Sequence, residues 1–136
     1  MKLSRRLSLG LTRNAAFTTP DSEDIRLRGR TYAIPFEDVW QASLHIINDE
    51  LKWWTLLDED DREGILRAQV RGRIGRLASG VTIRISLDVD AQTRVDALSA
   101  SRVGRVDFGV NARRLGRFFQ HLDRRLEAMR RAAEGA

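Results

Sequence analysis

"VTIRISLDV", residues 81–89, alternates without exception: Val81, Ile83, Ile85, Leu87 and Val89 are apolar, and Thr82, Arg84, Ser86 and Asp88 between them are polar. Successive strand side chains point to opposite faces, so this stretch predicts a strand with one face buried and one wet, the antiparallel pattern. Upstream, "WWTLLDEDDREGILRAQVRG" (53–72) reads as strand, acidic turn, strand over 54–58 and 65–71, with Leu66, Ala68 and Val70 facing the core. Residues 90–93 turn the chain into "RVDALSASR" (94–102), a weaker alternation rich in small residues. "RTYAIP" (30–35) supplies a further strand around Tyr32 and Ile34.

Two segments switch to helical spacing. Pro35 can open a helix because its missing N–H would be unpaired there anyway. Phe36, Val39, Trp40, Leu44, Ile47 and Leu51 follow at steps of three and four, with Glu37 and Asp38 in the first turn, which predicts a helix over 35–51. Leu115, Phe118, Phe119, Leu122, Leu126 and Met129 form a stripe over about 20 residues, roughly 30 Å of helix. The expected fold is an α+β two-layer sandwich: a mostly antiparallel sheet of about five strands, in β-α-β-β-β-β-α order, packed by one shorter and one long C-terminal helix.

At 136 residues and 42% hydrophobic, the chain suits one core. We divide it into a basic, amphipathic tail (1–12), a single α+β domain (13–131) and a disordered end (132–136). No apolar run reaches the roughly 20 residues that cross a bilayer, and Ser4, Ser8, Gly10 and Thr12 interrupt what a secretory signal needs unbroken. Without cysteine there is no disulfide, thiol catalysis or sulfur-ligated zinc. A cytoplasmic location is expected, peripheral to a membrane if Leu3, Leu7 and Leu11 place the tail on an anionic surface.

The net charge of +5 is uneven. Residues 1–30 carry seven basic and three acidic groups, 31–63 two basic and nine acidic, and 64–136 fifteen arginines and seven acids. Such a dipole can steer an anionic partner or bring two copies head to tail.

The basic part peaks in "SASRVGRVDFGVNARR" (99–114), which joins the last strand to the long helix. With Asn111 as N-cap, Val110 and Leu115 would form the hydrophobic staple. Capping leaves Arg113 and Arg114 unexplained, since cations in a first turn oppose the helix dipole. Either Asp107 is their counter-charge or an anion binds there. Arg102, Arg105, Asp107, Asn111, Arg113 and Arg114 are therefore the candidate ligand-binding residues.

This stretch resembles the closing signature, approximately S-A-S-R-x-G-x-S-D-L-G-V-N-x-R-R, of the bacterial and plastid proteins grouped as domain of unknown function 1499. "RNAAFTTPDSED" (13–24) is similar to that family's opening and "PFEDVW" (35–40) to its first helix. Ser99, Ser101, Arg102, Gly104, Asp107, Gly109, Asn111, Arg113 and Arg114 match the motif, with Asn14 and Thr18 upstream. Val106 and Phe108 depart from it, as do Ala15, Ala16 and Phe17 and the aspartate-free loop "GRLASG" (75–80). The resemblance implies a fold and a site but no activity.

No residue spacing points to catalysis, a cofactor or a metal. His45 and His121 read as partly exposed helix residues, and "DEDDRE" (58–63) as a solvated turn without calcium-loop spacing. "RGRIGRLASG" (71–80) matches no phosphate-loop pattern and carries no aromatic for stacking. Trp53 and Trp54 read as one rim and one core residue. Two functions follow as expectations. The first is a non-catalytic binding or accessory module, gripping a partner protein or complex through the arginine-rich junction. The alternative is a nucleic-acid or anionic-membrane binder using Arg117, Arg124, Arg125, Arg130 and Arg131 of the last helix with the tail.

Overall fold

The computed structural model describes residues 11–12, 15–71, 79–101 and 108–135. Its strands are β1 (Leu11–Thr12), β2 (Ala15–Phe17), β3 (Arg30–Tyr32), β4 (Trp54–Asp60), β5 (Ile65–Val70), β6 (Ser79–Leu87) and β7 (Thr93–Ser101). Its helices are α1 (Phe36–His45), continued by a π-helical turn over Ile46–Glu50, and α2 (Phe108–Gly135). The expected α+β sandwich forms: an antiparallel sheet in the order β1-β2-β7-β6-β5-β4, with β3 also pairing β7, and both helices on one face. The two strands beyond those expected, β1 and β2, have two and three residues, too few to show a period.

The core is the inward row of the sheet against the two helices. Leu66, Ala68, Val70, Val81, Ile83, Ile85, Val95 and Ala97 are buried from the sheet side, and Leu115, Phe118, Phe119, Leu122 and Leu126 from α2. Each large side chain so covered contributes about 1.5–3 kcal/mol. Trp54 stacks on Phe118 with ring centroids 6.1 Å apart, while Trp53 stays 63% exposed, so the pair divides into core and rim as expected.

Three expected core positions fall outside it. Leu87 is exposed because β5 pairs β6 only as far as Ile65↔Arg84, leaving Leu87 a neighbouring strand on one side alone. Val89 lies past the strand end, in the turn closed by Asp88 and Gln92. Met129 is exposed because α2, about 42 Å long for its 28 residues, outruns the nine-residue strands beneath it, which span roughly 30 Å.

The helix expected over 35–51 changes character midway. Leu51 donates its N–H to the Ile46 carbonyl, a five-residue step, and the extra residue in that turn carries both Ile46 and Ile47 into the core. The acidic turn is a hairpin as expected, with the Asp60 carboxylate accepting from the Arg62 and Glu63 amides. It closes on Gly64, at φ +72°, where a Cβ would stand 2.0 Å from the Ile85 carbonyl oxygen; only glycine fits. On the edge strand β4 a bulge between Leu56 and Asp58 interrupts the ladder, one way a sheet edge is protected. Among the described residues no helix is long and apolar enough to cross a membrane.

Candidate functional site

Ser79 opens β6, pairing Val70 of β5 and Ser101 of β7, so the junction end of the sheet is fixed by strand register. Ser99, two residues back along β7, faces inward with no exposed surface. Asn111 and Arg114, one turn apart on α2, come down on this row. Ser99 Oγ donates to Asn111 Oδ1 at 2.6 Å, both groups fully buried, and Arg114 Nη1 donates to Ser79 Oγ. Burying a hydroxyl or amide without such a partner costs about 1–3 kcal/mol, so the first turns of α2 are locked to one position on the sheet.

The expected N-cap at Asn111 is corrected by this geometry. α2 is already helical at Phe108, so Asn111 is its fourth residue and serves the sheet, and Leu115 lies in the core instead of in a staple with half-buried Val110. Residues near a helix start that are good caps are also good buried hydrogen-bonders, and sequence does not separate the two uses. Arg113 is exposed and makes no ion pair or hydrogen bond among the described residues. Arg102, Arg105 and Asp107 lie outside the described residues, as do Asn14, Gly104 and the loop over 72–78. Of the upstream motif positions, Thr18 is structural. Its hydroxyl donates to Asp96 Oδ1 at 2.8 Å and accepts from the Ala97 amide at 3.0 Å, while Arg94 closes on the same carboxylate at 2.8 and 2.9 Å.

A second polar cluster was not anticipated. His121 Nδ1 lies 2.7 Å from Glu50 Oε1, Arg125 donates to Glu50 Oε2 at 2.8 and 3.0 Å, and His45 approaches both Asp49 (3.1 Å) and Glu50 (3.5 Å). The hydrogen bond from His121, then those from Arg125, hold the Glu50 carboxyl below its usual range against the opposing effect of burial. These residues are 71 and 75 positions apart in the chain, beyond any local spacing signal. The π-helical turn is what aims Glu50 at α2.

A third cluster stitches β3 to α2. Tyr32 donates to Asp123 at 2.6 Å, Arg30 reaches the same carboxylate at 3.3 Å, and the Arg30 guanidinium lies 5.0 Å from the Phe119 ring centroid. Burial, then the adjacent Asp123 carboxylate, raises the Tyr32 phenol above its ordinary value, so it remains a donor.

The arginines of the last helix are largely committed. Arg125 pairs with Glu50, Arg130 with Glu127 and Glu134, Arg131 with Glu127, and Arg124 donates to the Gln120 carbonyl. A hollow of about 720 Å³ lined by Asp123, Arg124, Glu127, Ala128 and Arg131 is a gap between side chains of this one helix, not a cleft between elements. Among the described residues no three acidic or histidine side chains are placed to hold a metal ion.

The model of a family described as "Protein of unknown function (DUF1499)" matches residues 7–122. No curated protein and no solved structure matches the chain.

Proposed function

Because the chain belongs to the DUF1499 family of proteins of unknown function, its role must be read from its own site, and we propose that it is a non-catalytic binding or accessory module. The junction between β7 and α2 grips an anionic group on a partner protein or complex. What supports this reading is one juxtaposition: Asn111 and Arg114 lock the start of α2 to the sheet, so Arg113 is displayed from a rigid base with no partner among the described residues. The helix dipole adds positive potential there. In this reading Arg102, Arg105 and Asp107, which precede the helix in sequence, complete the grip. The module works in the cytoplasm, where a chain without cysteine needs no oxidising surroundings, and the acid-free segment 1–19 suits an anionic membrane surface. The alternative, binding through the last helix, is weakened by the carboxylates already occupying Arg125, Arg130 and Arg131.

The test is affinity purification from the native host, comparing wild type with Arg113→Glu and identifying companions by mass spectrometry. Companions held by the wild type and lost by the variant are expected. A protein that emerges alone and empty, or a variant that keeps every companion, overturns the reading.

A further inference from the structure

The sheet face away from the helices carries a cleft that belongs to none of the three polar clusters. It measures about 410 Å³ and is lined by Trp53, Trp54, Thr55, Gln69 and Arg71. Strand pairing makes it: Thr55 stands opposite Gln69, and two residues further along each strand the Arg71 amide donates to the Trp53 carbonyl at 2.9 Å. Trp53 and Arg71, separated by eighteen positions in sequence, thereby meet at one corner of the sheet.

Three features of this corner require more than a structural account. The Trp53 indole is 63% exposed, while its neighbour Trp54 takes the core position against Phe118. Its backbone sits at φ +74°, a left-handed conformation that bulky residues rarely adopt and that turns usually give to glycine or asparagine. Around it stand the Gln69 amide, the Thr55 hydroxyl and the Arg71 guanidinium, none with a side-chain partner among the described residues. Gly80 pairs with Gln69 on the next strand, and no described atom lies within 4 Å of where a Cβ there would stand.

We propose that this cleft binds a nucleotide, with the base stacked on the Trp53 indole, its polar edge addressed by Gln69 and Thr55, and the phosphate held by Arg71. An exposed indole beside an uncommitted cation is the pairing that takes a planar π-face and an attached phosphate together. An amide supplies both donor and acceptor in one plane, which suits a base edge. The volume lies in the range of small-ligand sites, and an open antiparallel sheet face with an exposed aromatic is a known platform for unstacked bases. The site lies on the opposite face of the sheet from the Ser99–Asn111 lock and does not rest on the junction reading.

Calorimetric titration of the full chain with AMP, adenosine, ribose 5-phosphate and a short oligo(dA) tests it. AMP is expected to bind more tightly than either adenosine or ribose 5-phosphate. Trp53→Gly, which suits the left-handed backbone and so keeps the fold, should weaken AMP on the order of tenfold, while Trp53→Phe retains most of the affinity. Arg71→Gln should weaken AMP and leave adenosine unchanged, and Arg62→Gln, on the exposed hairpin, should leave both unchanged. Oligo(dA) binding more tightly than AMP with a steep salt dependence identifies a single strand as the source of the nucleotide; equal affinity identifies the free nucleotide. Ribose 5-phosphate binding as well as AMP, Trp53→Gly binding AMP like the wild type, or no AMP or oligonucleotide binding at all overturns the proposal. Loss of AMP binding in Arg113→Gln with Trp53→Gly unaffected would place the ligand at the junction and overturn it equally.

Discussion

The two halves of α2 use polar side chains in opposite ways. From His121 onward, cations meet carboxylates: His121 and Arg125 meet Glu50, and Arg130 and Arg131 meet Glu127. Before it, Asn111 and Arg114 meet the neutral hydroxyls of Ser99 and Ser79, and Arg113 and Arg117 meet no partner among the described residues. The first half holds position by hydrogen bonds to serine hydroxyls of the sheet, the second by ion pairs. Positional locking without local use of the Arg113 charge is what a recognition surface needs and a purely structural helix does not.

The strongest way to break this contrast is Asn111→Ala. It deprives the buried Ser99 hydroxyl of its acceptor and opens a small void, which should cost about 2–3 kcal/mol in chemical denaturation. A capping residue on the surface would cost about 1 kcal/mol. Ser99→Ala in the Asn111→Ala background should then add less than it does alone, because the two share one bond. Full additivity would show that the first half is not locked in this way.

Glu50→Gln probes the other half and should be milder, about 1 kcal/mol or less, since the cluster is partly exposed and screened. The pH dependence carries the sharper information. The folded pKa of Glu50 is lowered, so its contribution is present above the ordinary carboxylate range and is lost as pH falls through the folded value. Wild type should therefore be more stable than Glu50→Gln at pH 7, with the two converging in acid. A constant gap down to the lowest pH would mean that charge is not what Glu50 contributes.

How much of this was legible in the sequence depended on whether a signal was periodic. The inward row Val81, Ile83, Ile85 and the stripe Leu115 to Leu126 are repeats, and repeats report burial, so the layers were readable. The same repeats ran past their own cover at Leu87, Val89 and Met129, because a pattern does not say where the opposing layer stops. Arg113 and Arg114 stood out by charge, but Asn111 looked like a cap because its position near a helix start admits both uses. Glu50 with His121, and Trp53 with Arg71, were not legible at all. Each pair is made by a feature without periodicity, a π-helical turn in one case and a left-handed residue entering an edge strand in the other.

The smallest expected effect separates the halves most cleanly, because it is a difference of sign. Arg113→Glu puts a negative charge near the positive end of the helix dipole and removes a cation that has no described partner, so thermal stability should rise by a few tenths of a kcal/mol. Arg131→Glu near the other end removes an ion pair with Glu127, places two acids one turn apart and opposes the dipole, so the melting temperature should fall. Paired melting curves at low salt read both, and high salt should shrink both differences. If Arg113→Glu destabilises instead, Arg113 has a counter-charge inside the chain, and the first half of α2 spends its cations internally just as the second half does.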